Sequence, residues 1–159
     1  MKNPLYILLA VLGLVLILGG GYVVYGATRG FRNNNPFNLE ISNIPWNNKI
    51  PAAKNTDGTF EQFPTMADGL HAGFDDIKNK IKRLGTISKI INAYAPASDN
   101  NDVPAYIAAV CDDCGVQPDD TLAPDFDTIK SVGNAIIKHE QGINPFPDSM
   151  INTAVNSVL

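Results

Sequence analysis

Apolar residues recur at helical spacing through most of the chain after Thr65. Steps of three and four residues place such side chains on one face of a helix, and Thr or Asp caps and glycine stops mark the helix ends. The pattern therefore predicts five helices. Their expected positions are residues 65–84, 86–94, 103–114, 125–141 and 148–158.

The residues before Thr65 follow a different, shorter pattern. Phe37, Leu39 and Ile41 alternate with polar residues, which is typical of a half-buried strand. A second strand is expected at residues 59–63, after the turn signal Asp57-Gly58. The two segments predict a small β-hairpin in front of the helices.

The chain begins with a long apolar segment. No charged residue occurs between Lys2 and Arg29, and about 20 apolar residues span a bilayer as a helix. The pattern predicts an uncleaved transmembrane helix over residues 5–26, and its alternative is a secretory signal peptide cleaved before Ala27. The expected organisation is an anchor at residues 1–28 and a domain at residues 29–159. The predicted fold class is mainly α with a small β-hairpin (α+β), preceded by one N-terminal transmembrane helix.

Charge and cysteine content narrow the classes of function. A net charge of −4 and a pI near 5.0 argue against nucleic acid as a partner. Four clustered cations are expected to form a solvated helix face: Lys78, Lys80, Lys82 and Arg83.

Cys111 and Cys114 form a Cys-x-x-Cys pair. Zinc would need two further ligands, and the chain has only two histidines and no second cysteine pair. The residues around 98–102 hold too few carboxylates for a calcium loop. No metal or cofactor is expected, and the pair is interpreted as a disulfide or as two partly buried thiols.

The strongest candidate for chemistry is Glu140, at the end of the helix predicted over residues 125–141. It follows Ile136 by four residues, so it extends the apolar stripe of that helix. Desolvation and the helix C-terminus both favour the protonated form of a carboxyl group, which is the form that a general acid needs. The alternative is a glutamate that rotates into solvent. Glu40, on the polar side of the first strand, is the candidate partner carboxylate.

Three segments resemble goose-type lysozymes and soluble lytic transglycosylases. The segment from Ala135 to Pro145 is similar to the signature A-I-I-x-x-E-S-G-x-x-P around their catalytic glutamate. Residues 91–94 are similar to A-A-Y-N, and residues 102–110 are similar to E-T-x-x-Y-V-x-x-V. The resemblance implies a lysozyme-like fold in which Glu140 is the catalytic acid and Tyr94 and Tyr106 contact the sugar.

The order of these segments differs from that family. The glutamate comes last in this chain, and Gln141 stands where the family has serine. The resemblance therefore implies a circularly permuted domain, which is possible where chain termini lie close together.

The segment before the helices carries two further resemblances. Residues 34–39, with Trp46 and Phe60-x-x-Phe63, resemble the hairpin of bacterial glucosaminidases, which implies that Asn38 and Trp46 bind the saccharide. Arg29-Gly30-x-Arg32-Asn33-Asn34-Asn35-Pro36 resembles a motif of small virion-associated proteins of bacteriophages. An added anchor suits a corticovirus-like phage with an internal membrane.

The resulting hypothesis is a membrane-anchored peptidoglycan glycosidase or lytic transglycosylase in the internal membrane of a virion. Its expected partners are glycan strands, lipid through residues 5–26, and capsid proteins, with no nucleic acid. The alternatives are a non-catalytic structural virion membrane protein with the same fold, and a module that binds the cell wall without cutting it.

Overall fold

A computed structural model describes residues 28–96 and 102–159, together with the backbone of residues 15–18 and 21–24. The described residues contain six helices, and the five predicted ones lie within two residues of their expected bounds. The helices are α1 (Arg29–Arg32), α2 (Met66–Leu84), α3 (Ile87–Tyr94), α4 (Val103–Cys114), α5 (Phe126–Gln141) and α6 (Asp148–Asn156). A single 3-10 turn spans Ala52–Lys54.

The helix ends follow local chemistry. The Thr65 hydroxyl accepts the backbone N–H of Asp68 at the start of α2, and the Asp125 carboxylate accepts that of Thr128 at the start of α5. Gly142 ends α5 with a φ of 78°, a conformation that costs glycine little. Capping residues in the sequence therefore set both ends of α5, and Glu140 lies on its last turn.

Helix α2 lies at the centre of the packing, against α3, α5 and α6. Phe74 of α2 is fully buried and meets Phe37 edge-on, with ring centroids 5.2 Å apart. A Cβ atom on Gly133 of α5 would lie 2.2 Å from the Phe74 ring. The absence of a side chain at Gly133 therefore lets α5 approach α2 closely.

Side-chain hydrogen bonds hold the asparagine-rich segment before Phe37 in place. Asn35 is fully buried, and its Nδ2 donates to the carbonyl oxygens of Leu39 and Glu61, both at 2.9 Å. Its Oδ1 accepts the Leu39 backbone N–H at 2.9 Å. These bonds fix the chain that leads from α1 to Asn38.

The predicted β-hairpin is wrong. Residues 37–41 and 59–63 share an isolated antiparallel bridge between Glu40 and Phe60 rather than two paired strands. Asn38 has a φ of 50°, which interrupts the extended backbone. The Asn35 side chain bonds to the Leu39 N–H and to the Glu61 carbonyl, so these two backbone groups do not pair with each other. Outside the first 27 residues, the described part of the chain is helical and contains no strand.

The predicted transmembrane helix over residues 5–26 is also wrong. Strands β1 (Val15–Leu18) and β2 (Gly21–Val24) pair antiparallel, with Val15 opposite Val24, so the tract reverses direction within the expected span. Branched apolar residues favour strands, and the glycines between them disfavour a helix. The rest of this segment (residues 1–14, 19–20 and 25–27) lies outside the described residues. Among those described, no helix has the length and apolar character needed to cross a membrane.

Candidate functional site

Glu140 lies half-buried on the last turn of α5, where two side chains hold its carboxylate. Asn38 Nδ2 donates to Glu140 Oε2 at 2.8 Å, and the Tyr106 hydroxyl donates to Glu140 Oε1 at 2.7 Å. The three residues come from α5, from α4 and from the segment after Pro36. Three of the six predicted site residues are therefore in direct contact.

The Tyr106 side chain is buried and is held by ring stacking on His139. It is 2% exposed, and its ring stacks on His139 with centroids 3.6 Å apart and an interplanar angle of 15°. Burial, followed by the neighbouring charge of Glu140, raises the pKa of Tyr106 far above its ordinary value of 10.0. The Tyr106 phenol therefore stays protonated and available as a donor to Glu140.

Asn38 combines two unfavourable features beside Glu140. Its φ of 50° is in the left-handed region, and its Oδ1 is buried with no hydrogen-bond partner among the residues described. A buried acceptor without a partner is uncommon in native proteins. Strained backbone and unpaired polar atoms concentrate at functional sites, which supports a functional interpretation of Asn38.

Gln141 is a site residue that the sequence analysis did not select. It is 7% exposed, its Nε2 donates to the Pro36 carbonyl at 2.9 Å, and its Oε1 accepts from the Thr28 hydroxyl. A Cβ atom on Gly30 would lie 2.2 Å from Gln141 Nε2 and 2.8 Å from Asn38 Oδ1. Gln141 follows the buried Ile137 by four residues, so helical spacing alone could have identified it.

Four predicted site residues line one cavity of about 180 Å³: Asn38, Glu40, Trp46 and Tyr94. We call it the Trp46 cavity. Asn38 belongs both to this cavity and to the cluster around Glu140. The cavity and the Glu140 cluster are therefore adjacent and share one side chain.

Two α2 residues that were not predicted as site residues also line the Trp46 cavity. Asp76 is 6% exposed, and Lys80 Nζ donates to its two carboxylate oxygens at 2.6 and 2.5 Å. Lys80 Nζ also lies 5.3 Å from the centroid of the Tyr94 ring. The prediction of a solvated face is therefore wrong for Lys80, whose spacing of four from Asp76 is that of a helical ion pair.

The two aromatic residues of the Trp46 cavity differ in how their polar atoms are used. The Tyr94 hydroxyl donates to the Phe37 carbonyl, and burial raises the pKa of Tyr94 well above its ordinary value. Trp46 is 9% exposed, and its Nε1 is buried without a hydrogen-bond partner among the described residues.

The two other glutamates have different environments. Glu40 is exposed on the rim of the Trp46 cavity, and its carboxylate has no partner among the described residues. Glu61 is 2% exposed. It pairs with Lys49 Nζ at 2.8 Å and accepts the Ser42 backbone N–H at 3.0 Å. Glu61 is therefore a structural residue.

Within the described ranges, no group of three His, Cys, Asp or Glu side chains is arranged to hold a metal ion. Cys111 is buried, Cys114 is half-buried, and both thiols are free. Burial raises the pKa of each thiol. Of the two interpretations of Cys111 and Cys114, a disulfide or two thiols, the structure shows two thiols.

Comparison with known proteins gives one informative relative. No family model matches the chain. Protein P5 of Pseudoalteromonas phage PM2 is 32% identical over 125 residues, which cover 76% of this chain and 75% of Protein P5. The chain therefore belongs to the same family as this bacteriophage protein.

Proposed function

We propose that the protein is a virion protein of a bacteriophage that cleaves glycosidic bonds in the glycan strands of peptidoglycan. The observation that supports this most is the carboxylate of Glu140, held by Asn38 and Tyr106 beside the Trp46 cavity. Most glycosidases use a pair of carboxyl groups that flank the scissile bond, and Glu140 and Glu40 are the candidates for that pair beside this cavity.

In the proposed reaction, Glu140 starts as the protonated carboxyl group and acts as the general acid: its proton passes to the glycosidic oxygen, the glycosidic bond breaks, and Glu140 is left as the carboxylate that accepts from Asn38 and Tyr106. The two donors hold its carboxylate in one orientation, which lowers the entropic cost of reaching the reactive geometry. Because the Tyr106 ring is buried and stacked on His139, this donor does not have to be ordered during the reaction.

Glu40 is the proposed second carboxylate. Asp76, the other acid of the Trp46 cavity, has both oxygens bound by Lys80, whereas the Glu40 carboxylate has no partner in the described part of the chain. Glu40 would activate a water molecule, giving a hydrolysed product. Attack by the acetamido group of the substrate would instead give the anhydro product of a lytic transglycosylase.

The virion location is supported by family membership with a phage protein. A phage particle that delivers its genome through a bacterial wall needs a local opening in peptidoglycan. Capsid proteins are the proposed neighbours of the chain in the particle.

The test uses purified peptidoglycan and the full chain. We expect solubilisation of the glycan by the wild type and a fall of at least about 100-fold for Glu140→Gln, which keeps the size of the side chain but removes its proton transfer. Asp119→Asn is the matched control, since Asp119 is an exposed acid of the linker before α5 and should behave as the wild type. Mass spectrometry of the products distinguishes hydrolysed from anhydro ends.

Other outcomes favour the alternatives. Equal activity of the wild type and Glu140→Gln would contradict the role of Glu140. Binding to peptidoglycan without solubilisation would favour a wall-binding module. The absence of both, with incorporation into particles, would favour a structural virion protein.

A further inference from the structure

The donors around Glu140 suit only one of its two protonation states. As a carboxylate, Glu140 accepts from Asn38 Nδ2 at 2.8 Å and from the Tyr106 hydroxyl at 2.7 Å, one donor on each oxygen. The general acid of the proposed function starts protonated, and a protonated carboxyl group has an O–H of its own to donate. A proton on either oxygen of Glu140 therefore meets a donor that already points at that oxygen.

The two neighbours differ in whether they can become acceptors. Tyr106 is 2% exposed, and its hydroxyl has no acceptor other than Glu140 among the described residues. Turning the Tyr106 O–H away from Glu140 would leave a buried donor unpaired, which is costly. Asn38 has a spare acceptor, because its Oδ1 is buried without a hydrogen-bond partner among the same residues. The proton of Glu140 is therefore better placed on Oε2, opposite Asn38, than on Oε1.

The carboxamide of Asn38 can exchange its two ends by a half-turn. The terminal torsion of asparagine is roughly two-fold, so the oxygen and the nitrogen exchange positions when it rotates. Asn38 Oδ1 lies on the side of Gly30, where a Cβ atom would come within 2.8 Å of it. The absence of that Cβ leaves room for the amino group. In the described part of the chain, the rotation breaks only the bond from Nδ2 to Glu140, since Oδ1 has no bond to lose.

We propose that the Asn38 carboxamide turns over when Glu140 takes up its proton, so that Asn38 Oδ1 accepts the Oε2–H while Tyr106 continues to donate to Oε1. The proton comes from water, and it leaves Oε2 for the glycosidic oxygen as the glycosidic bond breaks. Asn38 then turns back and donates to the resulting carboxylate. Asn38 is a positioning residue that holds the proton at Oε2, and this role rests on the proposed function of Glu140 as an acid.

Other ionisable side chains lie around this pair on the elements packed against it. They are Tyr94 of α3, Tyr106 of α4, His139 of α5, Asp76 and Lys80 of α2, and Glu40 of the segment after Pro36. Burial raises the pKa of both tyrosines, so the phenols stay protonated in the acid range. The two α2 residues bind each other. Glu40 and His139 are exposed, so each can be replaced without disturbing the buried side of the site.

The test is a nuclear Overhauser measurement on the full chain, which needs no substrate. The side-chain amide signals of Asn38 are assigned by their loss in Asn38→Gly. At neutral pH, we expect cross-peaks from these protons to the side chain of Glu140. Acidification should remove them and add cross-peaks to the α-protons of Gly30, in step with the carboxyl carbon signal of Glu140 and not with that of Asp76. The same change should occur in Glu40→Gln and in His139→Phe, which keeps an aromatic ring on Tyr106.

Glu140→Gln gives the same test without acid. The glutamine carbonyl has to face the Tyr106 hydroxyl, so its amino group faces Asn38 and needs an acceptor there. The Asn38 amide protons should therefore contact Gly30 at neutral pH in this variant, and their contacts should not change with pH. Glu40→Gln is the matched control, since it neutralises an exposed acid of the same cavity, and at neutral pH it should show the wild-type contacts.

The results separate the rotation from the proposed enzyme. An Asn38 amide that stays next to residue 140, both in the acidified wild type and in Glu140→Gln, overturns the rotation. A change that follows the carboxyl signal of Asp76, or that is lost in Glu40→Gln, also overturns it. Contacts to Gly30 in a protein that does not cleave peptidoglycan would support the rotation and contradict the enzyme. Cleavage by a protein whose Asn38 amide does not turn would contradict only the rotation.

Discussion

The side-chain amide of Asn38 donates to the carboxylate of Glu140 at 2.8 Å, although the two residues lie 102 positions apart in the sequence. Asn38 makes this contact from a left-handed backbone conformation, and its own Oδ1 is buried without a partner among the described residues. Each of these features is unfavourable by about 1–3 kcal/mol. The surrounding packing therefore has to impose the conformation, which is what we expect of a residue that positions a reactive group.

The first prediction concerns Asn38→Gly. Glycine accepts the φ of 50° without strain, so this variant removes the bond to Glu140 while keeping the backbone. We expect peptidoglycan cleavage to fall by at least about tenfold and the free energy of unfolding to change by less than about 1 kcal/mol. Asn48→Gly is the matched control, since Asn48 has a φ of 58° but is exposed and lies outside the site. Equal activity of the two variants would remove Asn38 from the site.

The second prediction compares two tyrosines. Tyr106→Phe removes the donor to Glu140 Oε1 but keeps the ring that stacks on His139, so activity should fall by about tenfold or more. Tyr94→Phe removes a bond to the Phe37 carbonyl, so it should mainly lower stability, by about 1 kcal/mol. Initial rates and urea unfolding measure both effects. A larger activity loss in Tyr94→Phe would contradict this assignment of roles.

The third prediction concerns the close approach of Gly30 to Gln141. In Gly30→Ala, the new Cβ would lie 2.2 Å from Gln141 Nε2, so the free energy of unfolding should fall by about 1–3 kcal/mol. Gln141→Ala removes the side chain that clashes. The double variant should therefore be more stable than the sum of the two single effects, which a double-mutant cycle measures. Additive effects would show that the two positions are not coupled.

The fourth prediction is a pH dependence. Hydrogen bonds from Arg29, assisted by Asn33, hold the pKa of Asp57 well below its ordinary value of 3.8. Because the pKa is lower in the folded than in the unfolded state, the Asp57 contribution to stability is present above the unfolded value and is lost as pH falls below it. Asp57→Asn should therefore be less stable than the wild type at neutral pH, and the difference should shrink below about pH 4. Urea midpoints over this range measure it, and a constant difference would contradict the assignment.

The fifth prediction concerns the thiols. Alkylation of the unfolded protein without a reductant should label two cysteines, because Cys111 and Cys114 are both free. In the folded protein, burial raises the pKa of each thiol, so labelling should be slow at neutral pH and faster as pH rises. Labelling that depends on prior reduction would show a disulfide instead.

The helices, and the position of Glu140 on one of them, could be predicted from the sequence because they depend on interactions between residues close together in the chain. Apolar spacing of three and four residues defines the buried faces, and neighbouring Thr, Asp and Gly residues define the ends. The same spacing placed Glu140 on the apolar stripe of α5, and it could have identified Gln141. It could not predict that a donor from the segment after Pro36 would reach Glu140, because that contact depends on the packing of distant elements.

The two errors in the predicted fold have the same origin. Alternating residues 37–41 indicated a strand, but the buried side chain of Asn35 bonds to the Leu39 N–H and the Glu61 carbonyl, and Asn38 turns the chain. The apolar composition of residues 5–26 indicated a membrane helix, but the segments Val15–Leu18 and Gly21–Val24 pair with each other as strands. In both cases the hydrophobic pattern was compatible with more than one backbone conformation, and the hydrogen bonds of the folded chain selected between them.

The sequence by itself therefore determined five helices, their ends, and a carboxylate at the end of an apolar stripe. Only the tertiary structure showed that Asn38 and Tyr106 contact that carboxylate. It also showed that Lys80 pairs with the buried Asp76, and that both line one cavity with Trp46. Helices arise from interactions between residues a few positions apart, whereas the bond between Asn38 and Glu140 joins side chains 102 positions apart in the sequence. Contacts of that range form only when the core packs.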